Sequence, residues 1–119
     1  GLSVEVPRAW SQKAQSSTQL LVSQNTSAWR ANSSVEGVYV GLIDGTTLPK
    51  TASPPPDCSG GTNPDTSDNA VTFRYGCQGP TVVERFRQLE GGKQLRIQVR
   101  DDNPTQRETI LDSAEYQAP

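Results

Sequence analysis

The chain has 119 residues, a net charge of −2, 32% apolar residues, ten glycines, nine prolines and no histidine. That length suits one domain, residues 1–119, around one core. No run approaches the roughly 18 apolar residues of a membrane-spanning helix. The absence of histidine excludes Ser-His-Asp and Cys-His catalysis, the usual histidine-containing zinc sets and the common side-chain pH switch near neutrality.

Taken in order, Ser3-Val4-Glu5-Val6 alternates as a short strand that Pro7 stops, and Trp10 is expected to fold back onto the core. Ser11 to Gln19 is polar and aperiodic and reads as loop, whereas Leu20 to Ser23 reads as a strand. Asn25 or Thr26 offers an N-cap to a helix over Ser27–Asn32. At about two turns, that helix depends on the packing of Trp29 rather than on helix propensity.

Val35 to Ile43 is apolar on both parities, which predicts a central strand covered on both sides. Gly41 within it allows a bulky neighbour to approach. Beyond the Asp44-Gly45 turn, the prolines of Thr46–Asp57 end any helix. The segment reads as extended, with polyproline character at Pro54-Pro55-Pro56, and as a rigid spacer before Cys58 in preference to a PxxP ligand.

Cys58 and Cys77 have no partners for a metal site and read best as one disulfide, closing a loop of about 20 residues and adding roughly 3 kcal/mol. The alternative is two buried free thiols in a cytosolic protein. The intervening segment, SGGTNPDTSDN, offers nothing to pack. With no signal peptide or lipid-attachment cysteine, the chain reads as a mature or trimmed ectodomain. Asn25-Thr26-Ser27 and Asn32-Ser33-Ser34 match the glycosylation sequon, a frequent coincidence in Ser/Thr-rich chains.

Ala70 to Arg100 is the organising stretch, with three strands in succession. Val71, Phe73 and Tyr75 alternate with polar residues or glycine, as do Leu95, Ile97 and Val99, and Glu90-Gly91-Gly92-Lys93 signals a tight turn. Glu84 interrupts the middle strand, and it lies either at the edge of the core or beside a bulge. Asp102 or Asn103 then caps a helix over Pro104–Leu111, and Ala114-Glu115-Tyr116 forms a last strand. Together these elements predict an α+β fold: an antiparallel sheet with short flanking helices and one disulfide.

Residues 71–100 carry six cationic side chains against Glu84 and Glu90, while residues 101–119 carry Arg107 against five acids. If Val71, Phe73 and Tyr75 share the core side with Leu95, Ile97 and Val99, then Arg74, Arg96 and Arg100 face away from it. Arg85 and Arg87 join them if Val82 and Phe86 point inward. The five guanidinium groups then form one patch suited to an anionic ligand or protein partner. The plainer and preferred reading is a solvated face whose arginines pair with Glu84, Glu90 or the acidic C-terminal helix. Negative net charge and the lack of interleaved aromatics argue against nucleic acid. No cofactor or metal is implied: neither Asp65/Asp68/Asn69 nor Asp101/Asp102/Asn103 has EF-hand spacing.

The segments VEVPRAWS, LLVSQNTSAWR before GVYVGLID, the cysteine pair ahead of TVVERFR, and TILDSAEY resemble extracytoplasmic modules of actinobacterial lipoproteins and membrane serine/threonine kinases. Those modules are related to the PsbP-like and Ran-release-factor-like fold. The resemblance implies an antiparallel sheet flanked by helices, no catalysis, binding of a ligand or partner, and membrane attachment only through a tether outside residues 1–119. It also implies a helix after GVYVGLID, where this chain is rich in proline. The expected function is a non-catalytic extracytoplasmic binding or sensor module. A histidine-independent carboxylate hydrolase and a structural cell-surface spacer stand as alternatives.

Overall fold

The structure is a computed structural model and describes residues 1–119. It is an α+β fold of antiparallel strands and two helices with one disulfide. The chain runs through β1 (Leu2–Ser3), the hairpin of β2 (Gln12–Gln15) and β3 (Gln19–Ser23), helix α1 (Thr26–Ala31) and the long strand β4 (Gly37–Asp44). Two short strands, β5 (Ser59–Gly60) and β6 (Asp65–Thr66), precede the meander β7 (Ala70–Gly76), β8 (Val82–Gln88) and β9 (Lys93–Arg100). Helix α2 (Pro104–Ser113) and β10 (Glu115–Tyr116) complete it. The main sheet has the order β2-β3-β4-β9-β8-β7-β5, with β6 also on β7. A separate ribbon pairs β1 with β10.

Local chemistry explains both helices. The Asn25 side chain accepts from Ala28 N (3.0 Å), and Trp29 is the buried residue of α1. Asn103 does the same for Gln106 N (3.0 Å), with Pro104 in the first turn where a missing N–H is harmless. Helix α2 buries Arg107, Ile110 and Leu111, which lie on one face at spacings of three and four.

Both sides of the sheet are covered. On the helix side, Leu20, Val22, Val38, Val40, Val83, Leu95, Ile97 and Val99 pack under Ile110 and Leu111, with Leu2 and Trp10 closing the layer. Each such aliphatic side chain contributes about 1.5–3 kcal/mol by leaving water. On the other side, Val71, Phe73, Tyr75 and Val82 pack with Phe86, Leu48, Ala52 and the cystine. Phe73 and Phe86 meet edge to face, centroids 6.2 Å apart.

The cover on this second side is residues 46–57, a strap without helix or strand, as the prolines predict. Gln88 Nε2 donates to Gly45 O and Gln94 Nε2 to Thr47 O, both at 2.9 Å, which ties one end. The other end runs into Cys58, bonded to Cys77 with the Cα atoms 4.3 Å apart. Gly61 adopts a positive φ of 78° beneath the strap, where a Cβ would lie 2.5 Å from that of Ala52.

Four local expectations are corrected. The Ser11–Gln19 loop contains β2, a polar edge strand whose main chain pairs with β3 while its side chains stay in water. Ser16 Oγ accepts from Thr18 N and Gln19 N and so turns that hairpin. The opening strand covers only Leu2–Ser3, because Glu5 N bonds to Ser113 Oγ (2.9 Å) in place of a strand partner. Inside the disulfide loop, β5 and β6 pair with β7 through backbone alone. Finally, β8 has no bulge and Glu84 is not at the core's edge: pairing with β7 and β9 is continuous, and Glu84 is 1% exposed.

Candidate functional site

Register decides where the five arginines go. Phe73 pairs with Glu84, and Glu84 pairs with Gln98, so Phe73 and Tyr75 share a face with Gln98 and not with Ile97. The assumption that Val71/Phe73/Tyr75 and Leu95/Ile97/Val99 lie on one side is therefore incorrect, and no single patch forms. Arg74, Arg85 and Arg87 lie on the helix face; Arg96 and Arg100 lie on the strap face.

On the helix face the arginines are mostly engaged. Arg85 pairs with Asp112 (2.8 Å) and Glu108 (2.9 Å) of α2, and its Nε donates to Thr72 Oγ1 (3.0 Å). Arg87 donates to Leu111 O (3.0 Å) and Ala114 O (2.8 Å), capping the carbonyl end of α2, which carries no basic residue in its own last turn. Burial, and after it the Arg85 charge, pushes the Arg87 pKa below its ordinary value. Arg74 is exposed and makes no ion pair.

The strap face holds a polar ladder. Tyr75 Oη donates to Glu84 Oε1 (3.2 Å), while Gln98 Nε2 and Arg96 Nε donate to Glu84 Oε2 (3.0 Å each). Arg96 Nη2 closes the ion pair at 2.9 Å. Burial first, then the Glu84 charge, drives the Tyr75 phenol pKa upward, so it remains a donor. Gln98 Oε1 accepts from Arg100 Nε (3.1 Å), and Arg100 Nη1 donates to Trp29 O and Asn32 O (2.9 Å each). The Arg100 guanidinium lies 3.5 Å from the Trp29 ring centroid.

Arg100 differs from Glu84, the other buried charge of the ladder. It is 8% exposed and has no carboxylate partner. Burial alone pushes its pKa down to about 10. Its Nη2 bonds to no protein atom, and because no buried side-chain nitrogen lacks a partner, Nη2 reaches solvent. Arg100 lines a cleft of about 290 Å³ walled by Trp29, Tyr39, Ser53, Pro55 and Pro56, with Arg96 and Gln98 beside it on the floor. Tyr39 lies flat along Gly41, where a Cβ would come within 2.7 Å of the hydroxyl, as the expected role of that glycine requires. Arg96 sits 5.9 Å from the ring centroids of both Tyr39 and Phe86.

Of the sequence-derived site residues, the structure thus joins Cys58 to Cys77 and brings Arg96 and Arg100 to one cleft. Trp29, Tyr39, Gln98 and Glu84 belong to the same constellation, and sequence reasoning does not group them. The signal available for it is the polar parity of β9, Gln94, Arg96, Gln98 and Arg100, set opposite the apolar Leu95, Ile97 and Val99. No helix is long and apolar enough to cross a membrane, and a disulfide is compatible with an oxidising compartment outside the cytoplasm. Compared with known proteins, the chain matches no family profile, no curated protein and no solved structure, so a functional reading rests on the cleft itself.

Proposed function

We propose that this chain is a non-catalytic extracytoplasmic binding or sensor module that holds its ligand in the strap-face cleft. The observation that carries this reading is a concave site with aromatic and proline walls, floored by two arginines of which one is buried without a counter-ion. Gln98, two main-chain carbonyls and the Trp29 ring hold Arg100 but none of them carries a negative charge, so its charge is left for an anion to balance. Glu84, the carboxylate beneath the cleft, has its oxygens taken by Tyr75, Arg96 and Gln98, which favours charge balance over acid–base chemistry. The disulfide supports an extracellular setting. The resemblance of VEVPRAWS, LLVSQNTSAWR and TILDSAEY to actinobacterial modules supports a parent that is a lipoprotein or a membrane serine/threonine kinase.

A fragment screen followed by nuclear magnetic resonance tests the reading. Charged and neutral fragments should perturb Trp29, Tyr39, Arg96 and Arg100 together and be recovered unchanged. Perturbations scattered over the surface, or a fragment recovered chemically altered, would overturn it. Thiol labelling in the native cell checks the compartment, where Cys58 and Cys77 should resist labelling until a reductant is added.

A further inference from the structure

We infer that the strap-face cleft takes a compact organic monocarboxylate, with the carboxylate seated on the free Nη2 of Arg100. This rests on the reading of the cleft as a binding site and adds the chemical class of its ligand.

Charge is the first argument. The floor holds Arg96 and Arg100 against Glu84, and no acidic residue lines the cleft. One positive charge is left over, and a monoanion restores neutrality. A dianion overshoots by one charge, because Glu84 already balances Arg96.

Donor geometry is the second. Arg100 is fixed by Gln98, by two main-chain carbonyls of the α1 end and by the Trp29 ring, so Nη2 is the one corner left to offer. Arg96 is held by Glu84 through Nε and Nη2, leaving Nη1 without a protein partner. Arg96 and Arg100 flank Gln98 on one face of β9, so a bound molecule meets a charged donor at one end and a further donor toward the other. Donors locked before the ligand arrives lose little freedom on binding, and a charge-assisted bond to carboxylate is stronger than one to a neutral oxygen.

The walls supply the third argument. Pro55 and Pro56 have almost no side-chain freedom to lose, and Tyr39 is already seated on Gly41. At about 290 Å³, the cleft lies at the small end of ligand cavities, which suits a body of one ring.

Benzoate, its neutral isostere benzamide, and inorganic phosphate serve as probes on the intact chain, with arginine Nε–H and tryptophan indole N–H resonances as readout. Trp10, buried on the helix face, is the internal control. Benzoate should shift Trp29 and Arg100 saturably and leave Trp10 still, with benzamide about tenfold weaker and phosphate also weaker. In Arg100→Gln, benzoate should lose its advantage over benzamide. The wild-type comparison decides even if that variant does not fold. Equal binding of benzoate and benzamide, or tighter binding of phosphate, would overturn the ligand class while leaving the cleft a binding site. No response at Trp29 or Arg100 to any of the three probes at millimolar concentration would overturn the ligand class, and a fragment screen that also leaves both residues unmoved would overturn the cleft as a binding site.

Discussion

The two faces of the sheet carry arginine–carboxylate pairs of nearly the same length, two on the helix face, Arg85 with Asp112 (2.8 Å) and Glu108 (2.9 Å), and one on the strap face, Arg96 with Glu84 (2.9 Å). Their surroundings are opposite. Glu108 and Asp112 are 60% and 67% exposed, whereas the Glu84 side chain is 1% exposed. On the helix face the core is aliphatic, and charge is confined to the seam with α2. On the strap face charge is built into the middle of the layer. The comparison teaches that ion-pair length says little about what a pair does. Near water it trims a surface, whereas inside it holds every neighbouring donor to one arrangement.

The largest expected effect tests that contrast directly. Glu84→Ala leaves Arg96, Gln98 and Tyr75 without their acceptor and should lower unfolding free energy by about 3–5 kcal/mol in a denaturant titration. Removing both charges, as Glu84→Leu with Arg96→Met, should recover most of that loss. If Glu84→Ala matched a surface change in cost, burial would not be what separates the faces.

The counterpart is Glu108→Gln with Asp112→Asn, which frees Arg85 on the helix face. It should cost less than about 1 kcal/mol, and the difference should shrink further in high salt. A salt-insensitive loss of several kcal/mol would mean that the α2 seam depends on its charges no less than the Glu84 ladder does.

The smallest effect extends the comparison to Glu36, a largely exposed carboxyl just before β4. Partial burial, followed by the charges of Asp101 and Asp102, holds the Glu36 carboxyl above its ordinary value. A carboxyl whose folded pKa exceeds its unfolded one is penalised once ionised, so stability falls as pH rises through the raised value. Glu36→Gln should therefore stabilise the protein slightly at neutral pH, by less than about 1 kcal/mol. The gain should vanish in acid, where Glu36 is protonated both folded and unfolded. Melting temperatures of the two proteins across that pH range provide the measurement.

Much of the architecture can be read from residue pattern. Val71/Phe73/Tyr75 and Leu95/Ile97/Val99 announce their strands by alternation, and Asn25, Asn103 and Pro104 announce the helix starts. What alternation cannot do is relate one strand's parity to the next. Each strand of a doubly covered sheet has an apolar set, and only pairing reveals that Phe73 sits beside Gln98 and not Ile97. The misplaced arginine patch and the misread Glu84 share that origin. Tyr75, Arg96 and Gln98 reach Glu84 from two other strands, and nothing near Glu84 in sequence hints at them. Gln12–Gln15 gives no strand signal because an exposed edge strand needs no apolar alternation.

The β1–β10 ribbon has a directional consequence. The Gly1 ammonium donates to Gln117 O (2.6 Å), while Leu2 and Tyr116 pack into the aliphatic layer. Both chain ends therefore emerge together behind the sheet, on the side away from Trp29. A label or bead attached at either end is anchored against the layer that holds Ile110 and Leu111, across the sheet from residues 46–57.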